Sequence, residues 1–240
     1  MTRFERAFVW VGGAVFVGSL ALWVWWYLFW LSRPQPWTGW PALAYDAALF
    51  GLFAAHHSLF ARESVKRRLS SIPRRLIRSV YVWIASLLLI AVCLLWKTIG
   101  GEAYDTRRAG AVALAVVQLA GVWVIARAVA RIDPLELAGI RTADVSPADA
   151  SRAAPGVAQP GALQITGPYR WVRHPVYLGW ILVVFGAAHM TGDRLAFAAI
   201  SSFYLVIAVP WEERSLMQGF GDDYARYKQQ VRWRVLPYLY

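Results

Sequence analysis

Apolar residues fall in long blocks along this chain, separated by short polar or basic stretches. The first block runs from Phe8 to Leu31 and gathers Trp25, Trp26, Tyr27 and Trp30 at its far end. Such rings are enriched where a helix leaves a bilayer. A loop with Pro34, Pro36 and Pro41 follows, and a second block from Pro41 to Phe60 closes with His56-His57-Ser58. A third block covers Ile77 to Trp96 and a fourth Ala109 to Ala130. The last, Val176 to Trp211, is broken by Thr191-Gly192-Asp193-Arg194. A helix crosses a bilayer in about 20 residues, so the pattern predicts an all-α, polytopic transmembrane protein with about six membrane segments. The last two form a tight helical hairpin whose first arm, Val176 to Met190, is short enough to call for tilt or for packing against other helices. The first block is too long for a cleavable signal and no small-residue cleavage site follows, so it reads as a retained helix.

The polar stretches set the orientation. Between the second and third blocks lie Arg62, Lys66, Arg67, Arg68, Arg74, Arg75 and Arg78, opposed by Glu63. Basic residues in short loops mark the cytosolic side and meet anionic lipid there. With that loop in the cytosol, alternation leaves only Arg33, Lys97, Arg107, Arg108 and Arg194 outside. Arg173, His174, Glu212 and Glu213 then share the cytosolic face, with both chain termini. Arg131 to Thr166 is polar, carries Asp133-Pro134 and Ser146-Pro147, and reads as a long cytosolic loop of the kind that often serves as a lid. The expected organisation is one integral membrane domain: a four-helix part over 1–130, the loop over 131–166, and a hairpin with its tail over 167–240.

Composition agrees. Of 240 residues 58% are hydrophobic and 16% charged, with 14 Trp, which is not the make-up of a soluble domain. The net charge of +11 sits at the ends of apolar blocks, which speaks against nucleic acid as a partner. Cys93 is the one cysteine, so no disulfide forms within the chain, and four His with one Cys make no metal-ligand set.

Chemistry concentrates at the two ends of the hairpin. Pro175 suits the first position of a helix, where its missing N–H costs nothing. Arg173 and His174 stand just before it, beside unsatisfied helix N–H groups that favour an anion. Glu212 and Glu213 close the returning helix, where its dipole disfavours them and a cationic partner is called for. That partner is either a ligand or one of Arg173, Arg214 and Arg232.

These residues resemble a known family. Gly167-x-Tyr169-x-x-x-Arg173-His174-Pro175-x-Tyr177-x-Gly179, then Glu212-Glu213-x-x-Leu216, then Phe220-Gly221-x-x-Tyr224-x-x-Tyr227, are similar to the C-terminal signature of the membrane methyltransferases related to isoprenylcysteine carboxyl methyltransferase and the phospholipid N-methyltransferases. The resemblance implies S-adenosylmethionine as methyl donor, bound at the cytosolic ends of the last helices. It implies donor contacts from Gln164, Gly167, Tyr169, Arg173, His174, Pro175, Tyr177, Gly179, Glu212 and Glu213. Arg173 would meet the donor's carboxylate, Glu213 its amine and Glu212 its ribose hydroxyls. One departure stands out: Gly161 occupies the position where the carboxyl methyltransferases often carry His, with Gln164 nearby.

A second resemblance covers the N-terminal half. His57-Ser58-x-x-Ala61-Arg62-x-x-x-Lys66-Arg67, Ile72-Pro73 and Arg78-Ser79-x-Tyr81-Val82 look like the bacterial methanethiol S-methyltransferases, as do Met190-Thr191-Gly192 and Glu212-Glu213-Arg214-x-Leu216. This implies a thiol acceptor, a bacterial inner membrane, and His57, Arg78 and Tyr81 as catalytic residues: His57 as base, Arg78 steadying a thiolate. The expected activity is methyl transfer to a small or lipophilic thiol such as methanethiol. An isoprenylcysteine carboxylate or a lipid amine is the alternative acceptor. Outside that class stand an NADPH-dependent sterol-type reductase, which the ending from Tyr224-x-x-Tyr227 to Leu236-Pro237-Tyr238-Leu239-Tyr240 resembles, and a non-catalytic accessory protein.

Overall fold

A computed structural model describes residues 1–60, 72–131, 134–140 and 163–240. The basic residues Arg62, Lys66, Arg67 and Arg68, and the expected lid over most of 131–166, lie outside the described residues. Helices dominate: α1 (Arg3–Trp25), α2 (Trp40–Phe60), α3 (Arg74–Leu95), α4 (Ala109–Val129), the single turn α5 (Pro134–Leu137), α6 (Pro175–Phe185), α7 (Gly192–Phe220) and α8 (Asp222–Gln230). The all-α expectation needs one correction. Two short strands, β1 (Glu102–Asp105) and β2 (His189–Thr191), pair antiparallel with Tyr104 opposite Met190. Each belongs to a non-helical connection, and pairing satisfies backbone groups that would otherwise be left open.

Among the described residues four helical stretches are long and apolar enough to cross a membrane: Arg3–Trp30, Arg75–Leu95, Ala109–Val129 and Gly192–Phe220. Helix α2 has the length but carries Asp46, His56 and His57, and α6 has 11 residues. The exposed face of α4, with Val112, Val116, Leu119, Val122 and Trp123, is the apolar surface that lipid accepts and water does not.

Contacts divide the chain into two units. One takes Met1–Trp30, Ala44–Lys97 and the described part of Ile132–Ala162; the other takes Leu31–Leu43, Thr98–Arg131 and Leu163–Tyr240.

In the first unit α1 begins with a capping box. The Thr2 hydroxyl accepts from the Glu5 N–H, and the Glu5 carboxylate accepts from the Thr2 N–H. α1 packs on α3, where Gly12 leaves room for the Trp83 ring and the Trp83 indole donates to the Phe8 carbonyl at 3.0 Å.

In the second unit α4 packs closely on α6. A Cβ on Gly121 would stand 2.7 Å from the Gly179 carbonyl oxygen, and one on Gly179 would stand 2.7 Å from that of Gly121. Small residues permit such approach between membrane helices. The start of α7 is tied by Asp193, whose buried carboxylate accepts from the Ile99 and Gly100 amides at 2.9 Å each. Thr191 caps the helix by accepting from the Arg194 N–H. Arg194 is buried and donates to the His189 carbonyl at 2.6 Å. α7 also differs from expectation at its far end. It runs through Pro210 to Phe220, so Glu212 and Glu213 lie inside the helix, and the argument from an unfavourable helix terminus does not hold.

Candidate methyl-donor site and acceptor cluster

Pro168 and Gly167 bring the chain through a short 3-10 turn, Gly167–Arg170, and Gly167 takes a positive φ of 64°. The segment that follows, Trp171 to His174, is not helical. It is held by the tail after α8: the Arg173 N–H donates to the Trp233 carbonyl at 2.9 Å and the His174 N–H to the Arg234 carbonyl at 2.8 Å. α6 then starts with Pro175 in its first turn and His174 as its cap residue.

The side chains of this segment converge on the later part of α7. Arg173 and Glu213 are both buried and meet through Nε and Oε1 at 2.6 Å. Arg173 Nη1 donates further to the carbonyls of Val231 and Arg232, at 2.8 Å each. Arg234 approaches the other Glu213 oxygen at 3.5 Å. Charge-assisted bonds of this kind offset the cost of burying both ions.

Glu212 differs. Its side chain is 44% exposed against 6% for Glu213. Tyr177 donates a short hydrogen bond to one of its oxygens, and His174 Nδ1 stands 3.3 Å from the other. His174 Nε2 lies 3.7 Å from Glu213, and the His174 ring stacks on Tyr177 with centroids 5.4 Å apart. Burial pulls the His174 imidazole down, yet the two carboxylates outweigh it and hold its pKa above the ordinary histidine value.

Below this cluster Tyr224, Tyr227 and Val231 form a small core with Leu163, Tyr169, Leu216 and Phe220 packed on it. The Tyr227 hydroxyl donates to the Tyr169 carbonyl at 2.7 Å. Burial raises the pKa of all three phenols above the usual range, so they stay protonated. A cavity of about 300 Å³ opens beside them, lined by Ile165, Thr166, Arg170, Tyr227, Gln230 and Val231.

The structure thus brings Arg173, His174, Tyr177, Glu212 and Glu213 together, with Pro175 setting the helix start and Tyr169 one layer away. Gly179 lies in the α4–α6 seam and meets Gly121. Gln164 and Gly167 precede the cluster, and the nearest atoms to a Cβ built on Gly167 belong to Arg131. Three partners escaped the sequence reading: Arg234, and the carbonyls of residues 231 and 232. A main-chain acceptor has no sequence signal, and a lone Arg in a basic tail has little more.

The residues expected to be catalytic lie in the first unit. The Tyr81 hydroxyl and His57 Nδ1 are 2.8 Å apart, and Arg78 stands over the Tyr81 ring at 5.4 Å. The buried His56 ring stacks on Tyr81, with centroids 5.5 Å apart, and on Phe60. His57 itself is exposed. Three residues from α2 and α3 therefore form one connected cluster.

Comparison with known proteins gives these arrangements a context. The phospholipid methyltransferase family matches residues 156–223. A methanethiol S-methyltransferase of Mycobacterium tuberculosis is 33% identical over 199 residues, covering 82% of this chain and 79% of the relative. One from Pseudomonas deceptionensis is 33% identical over 207 residues, 85% of this chain and 76% of the relative. A probable protein-S-isoprenylcysteine O-methyltransferase of Oryza sativa is 34% identical over 76 residues, 30% of this chain and 39% of that protein. No solved structure gives a significant match. With 33% identity sustained over most of both chains, and with long apolar helices of membrane-crossing length, the chain belongs to the methanethiol S-methyltransferase family and is an integral membrane methyltransferase.

Proposed function

We propose that the protein transfers the methyl group of S-adenosylmethionine to a small thiol, methanethiol being the acceptor named for its relatives. The observation that carries the reading is the half-exposed Glu212 carboxylate, held by Tyr177 and His174 beside a buried Arg173–Glu213 pair.

The donor supplies an electrophilic methyl group on a sulfonium. Its amine and hydroxyls call for an accessible acidic acceptor, and Glu212 fits that need. Tyr177 and His174 fix the two oxygens of Glu212, so the carboxylate loses little freedom when it binds. Arg173 and Glu213 serve the donor as a frame, since each is the other's partner and the tail carbonyls complete the Arg173 guanidinium. Tyr169 belongs to the wall. Gln164 and Gly167 set the entry of the chain into the site.

At the acceptor end His57, Tyr81 and Arg78 receive the thiol. Its S–H bond breaks, the proton goes to His57, and the sulfur keeps the electron pair as a thiolate facing the Arg78 charge. With the donor bound, that pair would form the new S–CH₃ bond as the donor's own S–CH₃ bond breaks and its sulfur leaves with the bonding electrons. Displacement needs in-line alignment at about 3–3.5 Å, so positioning the donor's methyl group is the main task of the Glu212 cluster.

In the membrane we read six segments. α2 and the α6–α7 hairpin join the other three long helices, with the donor site and both termini on the cytosolic side of a bacterial inner membrane. The relatives lend no support to an NADPH reductase or to an accessory role. Calorimetry with S-adenosylmethionine, followed by turnover of methanethiol, a prenylcysteine and phosphatidylethanolamine, tests the reading. Saturable donor binding and methylation of methanethiol are expected. Methylation of one of the other two acceptors alone would move the acceptor assignment and leave the donor site standing, whereas no donor binding would overturn both.

A further inference from the structure

The tail after α8 does more than lie against the site. The carbonyls of residues 231 to 234 hold Arg173 and His174 through both side chain and main chain. The tail then curls back on itself. The N–H groups of Arg234, Val235 and Leu236 all donate to the carbonyl oxygen of Tyr240, at 2.9, 2.9 and 3.1 Å, and the Tyr240 N–H returns a bond to the Leu236 carbonyl at 3.0 Å. This places the Tyr240 side chain on Arg234. Arg234 Nη1 lies 3.1 Å from the Tyr240 hydroxyl, and its guanidinium carbon lies 5.0 Å from the ring centre. The Nε of the same guanidinium faces Glu213 at 3.5 Å. Both residues lie beyond the stretch that the phospholipid methyltransferase family matches.

We propose that Arg234, oriented by Tyr240, is a positioning residue for methyl-donor binding: it fixes the second oxygen of Glu213 and so the register of the Arg173–Glu213 frame on which His174 and Glu212 depend. This rests on the donor-site reading above. A guanidinium with one edge on a carboxylate and another on a phenol is held in a single orientation, which an ammonium on a flexible stem does not reproduce. Arg234 never needs to touch the donor. It acts by denying Glu213 a second rotamer.

The test is calorimetric binding of S-adenosylmethionine to the full chain and to Arg234→Gln, Arg234→Lys, Tyr240→Phe and the double variant Arg234→Gln/Tyr240→Phe. Thermal midpoint and acceptor KM are measured on each. Arg234→Gln should weaken donor binding about fivefold, the upper range for an ion pair that is partly solvated. Arg234→Lys should recover part of it. Tyr240→Phe keeps the ring and the carbonyl and should cost about twofold, as for one hydrogen bond. The double variant should be no worse than Arg234→Gln alone, because Tyr240 acts through Arg234. Acceptor KM and thermal midpoint should stay near wild type. Unchanged donor binding in Arg234→Gln would overturn the proposal, as would additive losses accompanied by a falling midpoint, which mark a purely structural tail. Failure of the wild type to bind donor would overturn the donor-site reading together with the proposal.

Discussion

α7 carries a buried carboxylate near each end, and the two are satisfied in opposite ways. At the start, Asp193 accepts from two backbone amides, Ile99 and Gly100, and nothing about that arrangement asks for a ligand. Near the other end, Glu213 is met by the cations Arg173 and Arg234 with His174 at 3.7 Å, and its neighbour Glu212 remains half exposed. The first is a clamp that fixes a loop to a helix. The second is an ionic frame with an accessible carboxylate at its edge. Burial of an acid does not separate the two roles; the identity of its partners and the exposure of the next residue do.

The sharpest way to break that comparison is Glu213→Ala. It leaves Arg173 buried without its counter-charge, a loss of about 3–5 kcal/mol where a buried pair is split, and it should abolish donor binding. Chemical denaturation and calorimetry on the same sample read both. Asp193→Ala comes next. Two buried amides lose their acceptor, at about 1–3 kcal/mol each, but the fraction that remains folded should bind donor with unchanged affinity. A donor Kd that moves with Asp193 would erase the distinction between clamp and frame.

Glu212→Gln should reverse the pattern, with folding stability within about 1 kcal/mol of wild type, as for an exposed site, and donor affinity down at least tenfold. The smallest effect is the pH response. His174 has its pKa raised in the folded protein, so its charged form contributes stability in full below the unfolded histidine value of about 6.5. That contribution is lost as pH rises through the higher folded value. Folding stability should therefore decline on the alkaline side of about pH 6.5, read by chemical denaturation across pH, and His174→Gln should flatten the limb. A limb that persists in His174→Gln assigns the titration to another group.

Much of the site was legible because its chemistry is carried by side chains at fixed spacing. Arg173-His174-Pro175-x-Tyr177 and Glu212-Glu213 announce a cationic corner and an acidic one, and the fold brings them to one place. Who pairs with whom was not legible. The sequence left the Glu pair's partner open between a ligand and Arg173, Arg214 or Arg232, because a separation of 40 residues says nothing about whether Arg173 and Glu213 will find each other first. Gly179 sits inside the motif and was grouped with the donor contacts, although the structure uses its missing side chain to admit Gly121. The signal was the matching glycine on another helix, which a linear motif does not contain.

The helical blocks were readable from hydropathy, and their limits were not. The last apolar block ends at Trp211, yet its helix runs on to Phe220, and a membrane helix tolerates an internal proline such as Pro210 because neighbouring groups take up the freed carbonyl. The strands β1 and β2 carry no alternating pattern long enough to recognise, since they have four and three residues. That His57, Arg78 and Tyr81 belong together was suggested only by resemblance. Spacing along α2 and α3 does not reveal that the Tyr81 hydroxyl reaches His57.

The tail carbonyls that grip Arg173 have one more consequence, in the order of synthesis. A ribosome makes α6 and α7 before it makes residues 231 to 234, so the guanidinium exists for a time with Glu213 as its acid partner and without those main-chain acceptors. A nascent chain can insert its long helices first and complete the hydrogen bonds of Arg173 afterwards. Translation products that stop short of the tail would then sit in the bilayer with the Arg173 guanidinium short of two acceptors.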